Sequence, residues 1–394
     1  MKVAVVTHFF PPEPGAGALR VRTMVDAFAA AGHDVTVVTA YPSFPRGEFA
    51  DKKRELVRVE RNGRVKIVRL NSILVPRMPG SRLVHWLSTA MAQSLYLLFA
   101  RERFDVVVMS SPPITLSFPA LVGAARHRAR LIVDVRDVFP DLGVALGVWK
   151  KDGLLVRTLD RLVRKLYHRA DLVVVVTPHG REQIAARGVD ASRIVLARNA
   201  YERHPVVAEH ARPKNGFTAV YAGNLGLTTD VDVLADAATL VARDNITIEI
   251  IGDGAQRTRL GDRVQHERIS NLRLKGSFPR PEALAMVASA DVSIIPLRKG
   301  LNESIPTKLY DSLSVGCPVV IVADGEAVTE GSSLGALCTP AGDAQALAGV
   351  LRQLSAIGRS ELRKLGESGK SRLATLADRS DIMAALVARV AALD

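Results

Sequence analysis

In the stretch ESIPTKLYD, residues 303–311, two carboxylates bracket a proline and a lysine inside an apolar region. A helix turns about 100° and rises about 1.5 Å per residue, so Glu303 and Asp311, eight apart, would point about 80° apart and lie more than two turns from each other, a pairing that a single helical stripe does not explain. Pro306 predicts a helix start instead, with the proline at the first helical position. Glu303 and Ser304 then fall on the incoming loop, and Lys308 and Asp311 on adjacent turns of one side. The backbone amides of Ile305 and Thr307 would address whatever lies ahead of the helix, a place suited to an anion. An ordinary helix start carrying surface charges is the competing reading.

Other short segments have chemical content of the same kind. FFPPEPGAGALR sets Gly15 and Gly17 at the start of a helical pattern, where backbone amides can approach a phosphate closely. The dinucleotide fingerprint is not met, which counts against a nicotinamide enzyme, and a plain tight turn accounts for the glycines equally well. In IVDVRDVFPDLG, Asp134 lies inside a strand pattern, while Arg136, Asp137 and Asp141 come at or after its end. Asp137 is placed to accept a hydrogen bond from a substrate hydroxyl, or to contact Arg136 or cap a helix. Farther on, VYAGNLG crowds Gly223, Asn224 and Gly226 at a strand end, IIGDGAQ repeats the device, and LKGSFPRPE offers Gly276, Ser277 and Phe278 to the edge and face of a nucleobase. Three glycine-marked strand ends beside the ESIPTKLYD helix are what a nucleotide site in a parallel sheet requires.

The elements behind these loops alternate throughout the chain. KVAVVTHF, DVTVVTA, VKIVRL, DVVVMSS, ARLIVDVRD, DLVVVVT and RIVLARNA read as strands in the first half. TAVYAGN, ITIEIIGDG, LRLKGSF, DVSIIPL and PVVIVAD follow in the second. Continuous Val and Ile runs mark strands buried on both faces, as in helix-covered parallel sheets. The expectation is an α/β protein of two doubly wound, Rossmann-like domains, with ligands at the carboxyl ends of the strands facing a central cleft. The charged, proline-bearing segment 201–216 reads as the linker between domains at 1–200 and 217–375. The last residues, 376–394, read as an apolar-faced helix that can pack on either domain.

The chain has 394 residues, 48% of them hydrophobic, which is material for two cores. A formal charge of +13 points to acidic partners: nucleotide phosphates, nucleic acid or an anionic membrane face. Nucleic acid is disfavoured, because there is no zinc-finger spacing and the aromatic residues are not interleaved with basic runs. Cys317 and Cys338 sit in apolar surroundings that favour reduced thiols, and the first residues carry no secretory pattern; both predict cytoplasmic residence. Residues 83–100 contain no acid or base other than His85. There His85, Thr89 and Gln93 recur every four residues with Ser88 beside them, which predicts an amphipathic helix rather than a span. Flanked by Arg77, Arg82, Arg101 and Arg103, with Trp86 near one end, segment 77–103 is a candidate for an anionic membrane surface, peripheral at its inner face, or else packs on its own sheet.

The whole order of features resembles the GT-B glycosyltransferases of family 4, retaining sugar-nucleotide enzymes, and most of all the bacterial transferases of capsule, O-antigen and exopolysaccharide assembly. HFFPPEPGAGALR, GHDVTVVTAYPSFPRG, SSPP, VRDVFPD, YAGNLG, IIGDG, PLR and IPTKLYDSLSVGCPVV carry the likeness across essentially the whole chain. It implies an acceptor-binding first domain and a donor-binding second one. In the family signature of two glutamates, Glu303 would contact the sugar or phosphate end of the donor. Asp311, one methylene short, would accept hydrogen bonds from the ribose hydroxyls. Asp137 would orient the donor sugar or acceptor, with Arg136 where many members have histidine. Ser304 and Lys308 would lie along the nucleotide sugar, Lys308 near the diphosphate or ribose. Many members neutralise the diphosphate with an arginine and a lysine where this chain has Asn224 and Thr229. Lys308, Arg298, Lys299 and Arg20 are the substitute cations, joined by the amides at Gly15 to Gly17. No metal or other cofactor is implied. The implied reaction moves a sugar from a UDP-sugar to a polyprenyl-diphosphate-linked saccharide. The alternatives are a soluble small-molecule acceptor, a UDP-sugar epimerase, and a non-catalytic sugar-nucleotide binder.

Overall fold

The computed structural model describes residues 1–43, 49, 54–74, 81–203, 207 and 216–393. Arg77, the Arg82 side chain and most of segment 201–216 lie outside the described residues. The chain forms two compact units, one made of Met1–Asn199 with Arg379–Asp394, the other of Ala200–Asp378.

The first unit is built on an eight-stranded sheet. Its strands are β1 (Lys2–Val6), β2 (Asp34–Ala40), β3 (Val57–Asn62), β4 (Val65–Leu70), β5 (Val106–Ser111), β6 (Arg130–Val135), β7 (Leu172–Val175) and β8 (Ile194–Leu196). They lie in the order 3-4-2-1-5-6-7-8. All pairs are parallel except the edge strand β3, which runs antiparallel to β4. That edge strand was not anticipated, because VRVERN mixes valines with charges and is largely exposed, so it has none of the apolar continuity of the buried strands. The helix Ala16–Ala30 follows β1, and the final helix, Arg379–Ala391, packs against it. Met383, Leu386, Val387 and Val390 of the final helix share a core with Val21, Met24, Val25 and Phe28.

The second unit has a six-stranded, fully parallel sheet of β9 (Phe217–Ala222), β10 (Ile246–Ile251), β11 (Leu272–Gly276), β12 (Val292–Pro296), β13 (Val319–Val322) and β14 (Leu337–Thr339). The order is 11-10-9-12-13-14, so the winding reverses between β9 and β12, and ligands of such sheets bind where it does. β14, three residues long, was too short to read from its pattern. The two sheets give the chain the GT-B fold.

The helix Ser81–Phe99 is amphipathic, but its polar stripe faces the protein. His85, Thr89 and Gln93 are all buried. Gln93 donates to the carbonyls of Thr7 (2.8 Å) and Val38 (3.0 Å) at the ends of β1 and β2. The His85 ring meets Ser43 Oγ (3.4 Å), Ser72 Oγ (3.3 Å) and the Ile73 carbonyl (3.2 Å). The Val38 carbonyl also accepts from the Thr7 amide (3.1 Å), so at the ends of β1 and β2 this helix adds side-chain donors to backbone carbonyls. Its exposed face carries the apolar residues instead. Among the described residues no helix is long and apolar enough to cross a membrane.

Candidate active site

In the second unit β9, β10 and β11 end side by side at Gly223, Gly252 and Gly276. The Gly252 amide donates to the Gly276 carbonyl (2.7 Å), and the Gly223 amide to the Ile251 carbonyl (2.8 Å). A Cβ on Gly252 would strike the Gly223 carbonyl, and one on Gly223 would strike the Lys308 side chain. Only glycine allows this layering, which keeps the strand ends flat beneath the lysine. Lys308 also lies over the Tyr221 ring, 5.4 Å from its centroid, which fixes the ammonium above the end of β9. On the other side, Arg257 Nη1 donates to the Gly252 carbonyl (3.2 Å), and its guanidinium lies 3.6 Å from where a Gly276 Cβ would be. Two cations thus flank the glycine row. Arg257 opens the helix Arg257–His266 three residues past the last glycine of GDG, and sequence reasoning passed over it.

Asn224 and Thr229, which stand where the family resemblance places two cations, are neutral, and the Asn224 backbone and the Thr229 hydroxyl brace the loop after β9. The Asn224 carbonyl accepts from Tyr221 Oη (2.7 Å) and Thr229 Oγ1 (3.0 Å), and those two hydroxyls lie 3.1 Å apart. Arg298 and Lys299 stand exposed on the loop after β12, where the Arg298 amide donates to the Thr228 carbonyl (3.0 Å). Ser277 and Phe278 are exposed just past β11.

The helix expected at ESIPTKLYD runs from Thr307 to Ser314. Pro306 is not its first residue but the one before it, because its ψ of 134° is extended. Its carbonyl accepts from the Leu309 amide (3.1 Å). The leading helical amides are therefore those of Thr307 and Lys308, one place later than expected, and Ile305 is buried. Glu303 and Ser304 are half-buried on the incoming loop. Asp311 is ion-paired: Oδ1 lies 2.8 Å from Arg280 Nη2, and Arg280 Nη1 lies 3.3 Å from Glu202 Oε2. Arg280 was also missed by sequence reasoning. Its only signal was its place immediately after the SFP expected to meet a nucleobase.

In the first unit, Gly15 precedes the helix Ala16–Ala30 with a φ of 119°. At Gly17 the close approach is made by the protein itself, since a Cβ there would overlap the Arg136 guanidinium. Arg136 is held by the carbonyls of Ser111 (3.0 Å) and Pro112 (3.1 Å), so the SSPP loop and the first helix share one cation. Asp137 follows it. Asp137 keeps some solvent access, yet burial pushes its carboxyl above the usual range, and the charge of Arg136 opposes that rise. Arg20 cannot serve a diphosphate, because it is buried and paired with Asp134 at 2.7 Å. The Ser110 hydroxyl donates to the same carboxylate (3.3 Å). Asp141 is likewise committed, to Arg187 at 2.8 Å. Among the described residues no group of three or more His, Cys, Asp or Glu side chains is placed to hold a metal ion.

Two family descriptions match this chain, a Glycosyl transferase 4-like domain over residues 15–200 and Glycosyl transferases group 1 over residues 216–356. The chain belongs to the family 4 glycosyltransferases. Among curated relatives, the glycosyltransferase is 28% identical to the probable glycosyltransferase WbjE of Pseudomonas aeruginosa, over 73% of this chain and 76% of that one. It is 26% identical to the putative colanic acid biosynthesis glycosyl transferase WcaI of Escherichia coli, over 86% of each. A GDP-mannose-dependent alpha-mannosyltransferase of Mycolicibacterium smegmatis is 27% identical over 81% of this chain and 79% of its own. In fold, the transferase resembles sucrose-phosphate synthase from Thermosynechococcus elongatus, with a TM-score of 0.78 at 18% identity over 100% and 99% of the two chains. It also resembles Anabaena HepE in complex with UDP and glucose, with a TM-score of 0.72 at 14% identity over the full length of both.

Proposed function

We propose that the enzyme is a retaining glycosyltransferase of cell-surface polysaccharide synthesis. It moves a sugar from a UDP-sugar to a polyprenyl-diphosphate-linked saccharide. The observation that carries this reading is the second unit's row of glycine strand ends between Lys308 and Arg257, with Asp311 and Glu303 on the adjoining helix and loop. The relative named for colanic acid biosynthesis supports the pathway class, and the UDP complex of HepE supports the base.

In this reading the bond between the anomeric carbon and the β-phosphate oxygen breaks, and the acceptor hydroxyl oxygen bonds to that carbon on the same face. The hydroxyl proton passes to the departing phosphate. The main demand is to stabilise the leaving diphosphate's charge, which preorganised amides and cations do without reorganising. Lys308 and the amides of Thr307 and Lys308 meet that demand, and Asp311 accepts from the ribose hydroxyls. Glu303 addresses the sugar or phosphate end, and Asp137 orients the acceptor or donor sugar. No step requires a metal.

A thermal-shift panel of UDP-, GDP-, ADP- and dTDP-sugars tests the donor, because binding to the folded state raises the melting temperature. The expected result is a shift with UDP-sugars. A shift with GDP-mannose alone would move the donor to that of the mycobacterial relative. Glu303→Gln should lower transfer by at least about a hundredfold, the usual scale for a group acting on developing charge. An unchanged rate would remove Glu303 from the chemistry.

A further inference from the structure

The helix Arg257–His266 carries three arginines with different fates. Arg259 pairs with Asp232 (2.9 Å), and Arg263 with Asp232 (3.2 Å) and Glu267 (2.9 Å). Among the described residues Arg257 pairs with no carboxylate, although it is the half-buried one at the strand ends. Its side chain is nonetheless held in place. Nη1 donates to the Gly252 carbonyl, the Arg257 amide donates to the Gly254 carbonyl (3.0 Å), and the preceding Gln256 side chain donates to the Thr229 carbonyl (2.9 Å). A guanidinium has five N–H donors, and most of these are unspent. Ordering a long side chain costs free energy, and donors held ready beside a strand end are what a ligand would meet.

Where those donors lie decides which part of a nucleotide they can reach. Nη1 and Nη2 stand 3.6 Å and 3.8 Å from the Cβ position of Gly276 at the end of β11, whereas the Lys308 side chain covers Gly223 at the end of β9. β10 lies between, so the two cations are two strand spacings apart, roughly 10 Å. A diphosphate seated at Lys308 and the Thr307 amide leaves Arg257 beyond its reach. Asp311, the acid for the ribose, is drawn toward the β11 side by Arg280, four residues past Gly276. A nucleotide laid from Lys308 past Asp311 therefore brings its base to the end of β11, where Phe278 is exposed and Arg257 is waiting. Gly276, with a φ of 89°, sits in the region that favours glycine, so no side chain there screens the guanidinium.

We propose that Arg257 reads the base of the donor by donating to the ring carbonyl on its outer edge, O4 in uracil. The inference rests on the donor reading above and names the residue that sets the base within it. A guanidinium can only donate. Uracil, thymine and guanine present a carbonyl oxygen on that edge, whereas cytosine and adenine present an amino group whose N–H bonds would face the guanidinium's own. Arg257 therefore admits oxo bases and refuses amino bases, because a wrong base leaves donors on both sides unpaired.

The test is calorimetric titration of the full-length chain with three ligands: UDP, CDP, and the UDP analogue that lacks the 4-oxygen, pyrimidin-2-one riboside diphosphate. The wild type should bind UDP at least about tenfold more tightly than either of the others, the usual scale for an arginine reading a base edge. This comparison needs no variant, so it stands even if a substitution harms folding. Arg257→Gln should lose about tenfold in UDP affinity while its affinities for CDP and the analogue stay near those of the wild type, which removes the preference. The melting temperature without nucleotide shows whether that variant folds. Equal binding of all three ligands by the wild type overturns the proposal. So does an Arg257→Gln chain that keeps the preference for UDP, or one that weakens all three ligands alike, as a contact to phosphate or a brace for the GDG turn would. Those results leave the donor reading standing if UDP binds the wild type. Absence of UDP binding to the wild type removes the donor reading itself, and this inference with it.

Discussion

Asp311 reaches one methylene less than the glutamate expected at its position, and Arg280 is the residue that fixes where its carboxylate sits. One guanidinium nitrogen holds Asp311 and another holds Glu202, so Arg280 sets the direction of the shorter acid. The pair is about one-third exposed, so its worth to stability is small. Its worth to a bound ribose is larger, because a misdirected carboxylate loses hydrogen bonds of about 1 kcal/mol each. Arg280→Ala is therefore expected to weaken UDP binding by about tenfold, measured by calorimetric titration. Unchanged affinity would separate the Arg280 and Asp311 pair from the nucleotide site. Arg280 is 31 residues from Asp311 along the chain, and no spacing rule connects them, so this half of the site became visible only when the β11 loop and the Thr307–Ser314 helix came together.

Arg20 shows the same gap from the side of the elements. As a lone arginine one turn past a Gly-x-Gly, it reads as a phosphate ligand; folded, it bolts the Ala16–Ala30 helix to Asp134 in β6. Arg20→Met should lower stability by about 3–5 kcal/mol by stranding a buried carboxylate, and Arg20→Met with Asp134→Leu should recover much of it. Denaturant titration of both variants checks this, and UDP affinity should not change in either. The strands themselves were legible, because continuous valine runs have few other uses. Legibility failed for β3, whose charges mask a strand at an exposed edge, and for the inward polar stripe of Ser81–Phe99, whose partners are carbonyls that no side-chain pattern reveals. His8, at the same strand end, lies buried against His85 with ring centroids 4.8 Å apart. Burial, then the neighbouring imidazole, lowers its pKa from 6.5 to about 3. Below pH 6.5 the unfolded chain takes up a proton that the folded chain refuses. Stability is therefore lost as the pH falls from about 6.5 toward about 3, by at most about 1.4 kcal/mol per pH unit. Melting temperatures across that window should fall less steeply for His8→Phe than for the wild type.

At the scale of the molecule, the chain leaves the first unit after Asn199 and returns to it at Arg379. The returning helix inserts Met383, Leu386, Val387 and Val390 into the core beneath the first helix. Fully burying side chains of this kind is worth about 1.5–3 kcal/mol each, so the segment contributes a large part of that unit's margin. The candidate nucleotide site lies entirely within the other unit. A chain ending at Asp378 should accordingly lose stability in the first unit alone. Calorimetry is expected to show a lowered or missing transition for that unit, while saturating UDP still raises the other. At a hundredfold excess over Kd that rise corresponds to about 2.7 kcal/mol. Loss of the UDP-linked rise on truncation would mean that the nucleotide site depends on the first unit after all. Retention of both transitions would mean that the last helix adds little to the core it enters.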